Sequence, residues 1–441
     1  MKSLNYGSVC SGVEAASVAF TKLKFQPLWF SEIANFPSRV LKVHYPNIKN
    51  LGDMNNIAEL IKGGVVDAPD FLCGGTPCQA FSLAGWKKGL VDKRGQLTLS
   101  FIEIADAVDE KRIKDKKEKA IILWENVEGV LRDKTNAFGI FLSGLAGLDE
   151  EIEIDKWPSS GILYGKSRNV AWRVLDAKYF GLPQQRRRLF VIATGKNKNP
   201  ESILFERTKY NNDLFNYKNL YTESILANNN NEISLFDDFL EDKPTLEKTI
   251  NSDNYEVFRE YTDCLYSAYG TKWNGNAAAY NGSLYVSENK KVRRLTPLEC
   301  ERLMGFPDNY TNIPNNRDTN RYQAVGNSWA IPVITWIGKR ILDSHNTPNK
   351  INYPSPIKIQ KKYDLFLFND DFIHTESEVF INTSPCPNDF KKGDIFEIID
   401  TSAPEKFYLS PKGTAGILRR KNERSLNMNN RLEELFLLNT T

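Results

Sequence analysis

Between residues 1 and about 195, short apolar runs alternate with stretches of helical spacing, and this alternation restricts the fold more than any other feature. The runs Leu4 to Val9, Pro27 to Phe30, Phe71 to Gly74, Ile121 to Trp124, Val170 to Leu175 and Leu189 to Ala193 read as strands. Strands separated by helices build an α/β domain on a mostly parallel sheet with helices on both faces. In such sheets ligands bind beyond the carboxyl ends of the strands, so the residues just after each run are the first place to look for chemistry.

A chain of 441 residues exceeds one ordinary core, so two or three compact units are expected. The alternation defines a first domain at 1–195. Asn- and acid-rich sequence, including Asn228-Asn229-Asn230-Asn231, marks a second at 196–321. Residues 322–345 become apolar and periodic again and read as a return segment completing the first domain. Residues 346–441 open on a Pro- and Lys-rich connector and read as a linker and accessory C-terminal module.

With 58 Lys and Arg against 55 Asp and Glu, the net charge of +3 says little about a polyanionic partner. The basic runs at Arg186-Arg187-Arg188, Lys290-Lys291-Val292-Arg293-Arg294 and Arg419-Arg420-Lys421 say more, although any one of them also reads as a solvated face. The six cysteines lack paired ligand spacing and the three histidines do not cluster, which argues against a disulfide framework and a metal site. No apolar stretch is long enough to span a membrane and the first residues lack a signal-peptide core, so a cytoplasmic location is expected.

Four strand ends carry candidate groups. The first runs into Cys10-Ser11-Gly12-Val13-Glu14, where glycine lets the backbone pass close to a ligand, and Glu32 follows the second strand twenty residues after Gly12, placed to bind ribose hydroxyls. Asp53, followed by Met54, reads either as an adenine contact or as a helix cap. Gly74-Gly75-Thr76-Pro77-Cys78-Gln79 presents a thiol at the crevice among polar neighbours, against the alternative of a small buried cysteine. Glu125-Asn126-Val127 sets a carboxylate at the same sheet edge, where an apolar wall would suit it to donate a proton. Gln184, Arg186 and Arg188 alternate onto one side of the last strand's approach, able to hold a carboxylate and a phosphate.

Gly-Thr-Pro-Cys-Gln, Glu-Asn-Val and Gln-x-Arg-x-Arg in this order resemble the DNA cytosine-5 methyltransferases, and the segments Arg294 to Pro307 and Tyr322 to Ser328 extend the resemblance over residues 4 to about 342. The sequence around Ser3 to Asp53 and Cys78 to Leu99 is most similar to phage-borne or prophage members. The resemblance implies a class I methyltransferase sheet, a smaller target-recognition domain at 196–321 and S-adenosyl-methionine as cofactor. It implies that Cys78 as thiolate adds to C6 of a flipped-out cytosine while Glu125 hydrogen-bonds N3 and the exocyclic amine. C5 then takes the methyl group, and loss of the C5 proton expels Cys78. Arg188 and Arg186 would hold the flipped base and Glu125.

The same resemblance places Cys10, Ser11, Gly12 and Glu14 around the methionine moiety, Glu32 on the ribose, and Ile33 and Met54 against adenine. Asp53, Pro77, Leu97, Asn327 and Ser328 complete that pocket. Gln79, Ser82, Gln184, Arg294, Thr296 and Arg302 are the candidate DNA contacts, and Phe81 to Gly95 resembles the family's closing loop. Only one glycine stands inside the first turn where the family commonly has two, which puts the contacts of residues 8 to 11 in question. Implied partners are double-stranded DNA and a cognate restriction endonuclease that activity does not require, for a monomer acting in restriction-modification or phage DNA protection. A tRNA methyltransferase with the same motifs, an inactive DNA-binding regulator and, more remotely, an NAD-dependent oxidoreductase are the competing readings.

Overall fold

The computed structural model describes residues 3–76, 96–208, 245–270, 278–344, 353, 356–359, 362–375 and 380–440. They fall into two compact units. One comprises Met1–Asp176, Arg187–Lys209 and Ser328–Asp389; the other comprises Ala177–Arg186, Tyr210–Asn327 and Phe390–Thr441.

The first unit is built on one sheet. Its strands are β1 (Leu4–Val9), β2 (Phe25–Ser31), β3 (Lys49–Asn50), β4 (Phe71–Gly74), β5 (Ile121–Val127), β6 (Ser160–Tyr164), β7 (Arg168–Asp176) and β8 (Arg187–Gly195), ordered β3-β2-β1-β4-β5-β8-β7-β6. From β3 to β5 every pairing is parallel, while β8, between β5 and β7, and β6, beyond β7, run the other way, so six of the eight strands share a direction. This is the class I methyltransferase sheet. Beyond β6 two strands from the tail, Tyr363–Phe368 and Ile357–Ile359, extend it antiparallel.

Alternation along β5 sends Ile122 and Trp124 into the core beneath helices Gln96–Lys114 and Ala137–Ala146, where Trp124 stacks on Phe141 at 4.1 Å. Burying a large apolar side chain completely contributes about 1.5–3 kcal/mol, so Trp124 anchors the strand. Glu125 is thereby turned to the other face. The apolar face of helix Ile331–Asp343 packs against helix Ala15–Phe20, which brings the chain back to β1 after its excursion into the second unit.

A four-stranded antiparallel sheet, Leu246–Ile250, Asp253–Val257, Tyr285–Glu288 and Lys291–Arg294 in that order, centres the second unit. Helices Pro411–Glu423 and Asn430–Leu438 close its core, with Ile417, Leu418, Leu432, Leu435 and Phe436 packed on Phe258, Tyr280, Tyr285 and Val292. Arg293 is fully buried. Its guanidinium forks onto Glu299 at 2.9 and 2.8 Å and reaches the Asp400 carbonyl at 3.2 Å. Arg293→Met leaves the Glu299 charge buried without its cation, and is expected to cost about 3–5 kcal/mol of stability. A denaturation midpoint equal to that of the wild type would show that the pair does not hold this unit together.

The boundaries differ from those expected at 1–195, 196–321, 322–345 and 346–441. Ala177–Arg186 belongs to the second unit because Gln184 bridges Thr262 and Gly181 N–H donates to Lys391 O at 2.8 Å. The return to the first unit comes at Ser328, since helix Asp318–Gly326 is second-unit structure. Nor does 346–441 form a module of its own. Its first part extends the large sheet and feeds the carbonyls of Ser384 and Cys386 to the buried Arg173, and its last part completes the second unit. Among the described residues no helix is long and apolar enough to cross a membrane, and no cluster of His, Cys, Asp and Glu could hold a metal ion.

Candidate active site

The carboxyl end of β1 is shaped by left-handed backbone at alternate residues. Cys10, Gly12 and Glu14 have φ of 49°, 56° and 62°. Only glycine takes this conformation without steric cost, and a side chain at Gly12 would meet nothing within 4 Å, so the turn opens onto free space. Gly12 N–H donates to Glu32 Oε2 at 2.8 Å, and Ala34 N–H donates to Oε1 at 2.7 Å, which fixes the Glu32 carboxylate at the end of β2. Beside it Ile33 is 77% exposed, an apolar surface at the lip of the turn.

Cys10 packs against the buried Met54, its Sγ 3.6 Å from Sδ. Burial, followed by the charges of Glu32 and Asp53, pushes the Cys10 thiol up to about 12, so it stays protonated and inert at neutral pH. Asp53 also takes the capping role, accepting Asn55 N–H at 3.0 Å. Leu97 is half-buried against the main core and Ser328 is buried, both in the first unit. Asn327, exposed, caps helix Asp318–Gly326 in the second unit. An open turn, a fixed carboxylate and an exposed apolar side chain are compatible with an adenosine-containing cofactor.

At the end of β5 the Glu125 carboxylate is held at both oxygens. Arg188 Nε lies 3.3 Å from Oε1, and Trp329 Nε1–H donates to Oε2 at 3.1 Å. Gly75, three residues before Cys78 in sequence, comes so near that a side chain there would stand 3.1 Å from Glu125 Oε2. Thr76 braces this approach: its hydroxyl accepts from Trp124 Nε1 at 2.9 Å and its carbonyl from Asn126 Nδ2 at 2.9 Å. Arg187, which the sequence did not single out, forks onto Glu128 at 2.6 and 2.8 Å. Burial raises the Glu128 pKa, but the Arg187 hydrogen bond and charge outweigh it and hold the carboxyl below its ordinary value.

Several expected contacts are turned elsewhere. Gln184 is fully buried, its amide donating to Leu303 O at 3.0 Å and accepting from Leu265 N–H at 3.0 Å. Arg186 gives its guanidinium to the Leu265 and Gly326 carbonyls at 3.1 and 3.2 Å, inside the second unit. Thr296 is a buried cap of helix Pro297–Met304, and Arg302 forks onto Asp308 at 2.8 and 2.6 Å. The described polar contacts of these four side chains are all internal to the protein. Arg294 is half-buried. The Glu14 carboxylate, too, points into the core rather than outward. Pro77, Cys78, Gln79, Ser82 and the Phe81 to Gly95 loop lie outside the described residues.

Trp329 could not be picked out from the sequence because it meets Glu125 from 204 residues away. Its position directly after Asn327-Ser328 was the one available signal.

Comparison with known proteins gives the family. The chain is 35% identical over 467 aligned residues to a protein of Escherichia phage P1 named DNA N-6-adenine-methyltransferase, covering 77% of this chain and 61% of that protein. It thus spans less than two thirds of that relative's length. It is 31% identical to the Type II methyltransferase M1.ScrFI of Lactococcus lactis subsp. cremoris, over 73% of each. It is 26% identical to the Type II methyltransferase M.HhaI of Haemophilus parahaemolyticus, over 78% of this chain and 96% of that one. The family model described as C-5 cytosine-specific DNA methylase matches residues 4–343, and the chain belongs to that family.

Proposed function

We propose that this chain methylates C5 of a cytosine flipped out of duplex DNA, with Cys78 as the transient nucleophile on C6 and Glu125 as the acid on N3. The observation that carries this reading is the doubly held Glu125 carboxylate at the strand end beside Gly75. Attack at C6 drives electrons towards N3, and a preoriented carboxyl group there stabilises the charge where it develops. Trp329 and Arg188 keep it from rotating away. S-adenosyl-methionine, when bound, supplies an electrophilic methyl on a sulfonium. Gly12, Glu32, Ile33 and Met54 would hold its adenosine and methionine parts, and Asp53 adds negative charge beside the turn.

The second unit is the natural target-recognition part, with Arg294 as a candidate phosphate or base contact. We place the protein in the cytoplasm as a monomer, with an endonuclease partner optional. The name of the phage P1 relative favours a second reading, methylation of adenine N6, which the identity of the modified base separates from the first.

Glu125→Gln is expected to lower the methyl-transfer rate to duplex DNA by roughly 10²- to 10³-fold, the loss found when one preorganised transition-state contact is removed. Single-turnover transfer of labelled methyl groups measures it. A variant as fast as the wild type would take Glu125 out of the chemistry.

A further inference from the structure

Glu14 is costly twice over. A non-glycine residue at φ 62° carries backbone strain, and its carboxyl is only 1% exposed. Glycine would remove both costs at this position, so the carboxylate is retained for something. Two of its partners lie in the core and the third leads to the turn. Tyr6 and Ser17 hydroxyls lie 3.3 Å from Oε1, and Ser8 Oγ lies 3.0 Å from Oε2. Ser8 Oγ is in turn 2.9 Å from Ser11 Oγ, and Ser11 Oγ accepts Ser31 N–H at 3.1 Å. A chain of hydrogen bonds therefore joins the buried acid to the turn that faces the cofactor and to the end of β2.

We propose that Glu14 is the positioning residue of the cofactor turn, acting through Ser8 and Ser11 on residues 10–12, an inference that rests on the cofactor reading above. Ser8 has one proton to give. With Glu14 ionised it donates to the carboxylate and accepts from Ser11. With Glu14 protonated, Glu14 donates to Ser8, Ser8 donates to Ser11, and the Ser11 hydroxyl turns to donate to a backbone carbonyl, Ser8 O at 3.1 Å or Ser31 O at 3.3 Å. The protonation state of Glu14 thus sets the polarity of the turn.

Burial lifts the Glu14 carboxyl to about 7 against the lowering pull of the Ser8, Ser17 and Tyr6 hydroxyls. The other titratable groups facing it are Tyr6 on β1 and Cys73 on β4. Both are raised by burial and by the Glu14 charge, so they stay neutral in this range. Beyond the turn, Glu32 and Asp53 act on Cys10. The ionised form adds a negative charge beneath a turn that receives a sulfonium cation. Affinity for S-adenosyl-methionine therefore rises as pH passes upward through that value, and affinity for S-adenosyl-homocysteine, which lacks the sulfonium, rises less.

Titration calorimetry with both nucleosides over about pH 6 to 8 tests this on the full chain, with E14Q and S8A beside the wild type. Both variants are expected to bind S-adenosyl-methionine roughly tenfold more weakly, the size of one lost hydrogen bond to a charged group, and E14Q to lose the pH slope. S8A leaves the acid in place and cuts only its link to Ser11, so it decides the matter even if E14Q does not fold. Unchanged affinity in S8A, or an unchanged slope in a folded E14Q, overturns the role of Glu14. A wild type that binds no S-adenosyl-methionine at all refutes the cofactor reading instead.

Discussion

Cys78→Ser is expected to lower methyl transfer by on the order of 10³-fold or more while thermal unfolding stays at the wild-type temperature. A serine hydroxyl is scarcely ionised near neutral pH, so the adduct at C6 does not form and C5 stays too electron-poor to take a methyl group. Three of the other thiols are poor nucleophiles at neutral pH. Cys10 is held protonated by burial and by Glu32 and Asp53, and Cys73 and Cys300 are raised well above their ordinary value, first of all by burial. Steady-state transfer alongside a thermal melt separates lost chemistry from lost fold. Transfer by the serine variant at the wild-type rate would end the covalent mechanism.

A chain ending after Leu342 is expected to lose cooperative folding. The family match stops at residue 343, yet the described residues of the tail are built into both units. Removing them strips two strands from the edge of β6 and takes the Ser384 and Cys386 carbonyls from Arg173, a fully buried cation also paired with Glu206 at 3.2 Å. It also deletes Ile417, Leu418, Leu432, Leu435 and Phe436 from the second core. At about 1.5–3 kcal/mol for each buried side chain, that last loss alone is comparable to the whole stability of an ordinary domain. Far-ultraviolet circular dichroism through a thermal ramp reads the outcome. A truncated chain that melts like the full one, with unchanged DNA affinity, would make the tail an appendage after all.

The strands that could be read from sequence were those whose burial is written locally. Leu4–Val9 and Phe71–Gly74 stand at the expected residues, and the other four runs extend by a few, mostly polar, residues that pairing protects. β6 was missed. Its Ser160 and Gly161 have little strand preference, and Gly161 makes sense only beneath Trp172, whose ring would stand 2.2 Å from a side chain there. The tail strands Ile357–Ile359 and Phe380–Asn382 have three residues each, too few for a local pattern, and their hairpins join the rest of the fold through Tyr363–Phe368 on β6 and through Phe380–Asn382 on Glu206–Thr208.

At the site, Glu125, Arg188, Glu32 and Gly12 were legible because each lies beside a strand that local pattern reveals. The internal partners of Gln184, Arg186, Thr296 and Arg302 were not legible. Their polarity is consumed by internal carbonyls, caps and ion pairs, which composition cannot distinguish from a surface meant for DNA. Trp329 and the chain from Glu14 through Ser8 to Ser11 depend on tertiary geometry alone.

Nucleoside mass spectrometry of duplex DNA and, separately, of tRNA, after incubation with the purified protein and S-adenosyl-methionine, tests the central claim most directly. Cytosine-5 chemistry on DNA predicts 5-methylcytosine in the DNA and none in the tRNA. N6-methyladenine in the DNA without 5-methylcytosine, or 5-methylcytosine confined to the tRNA, would contradict it.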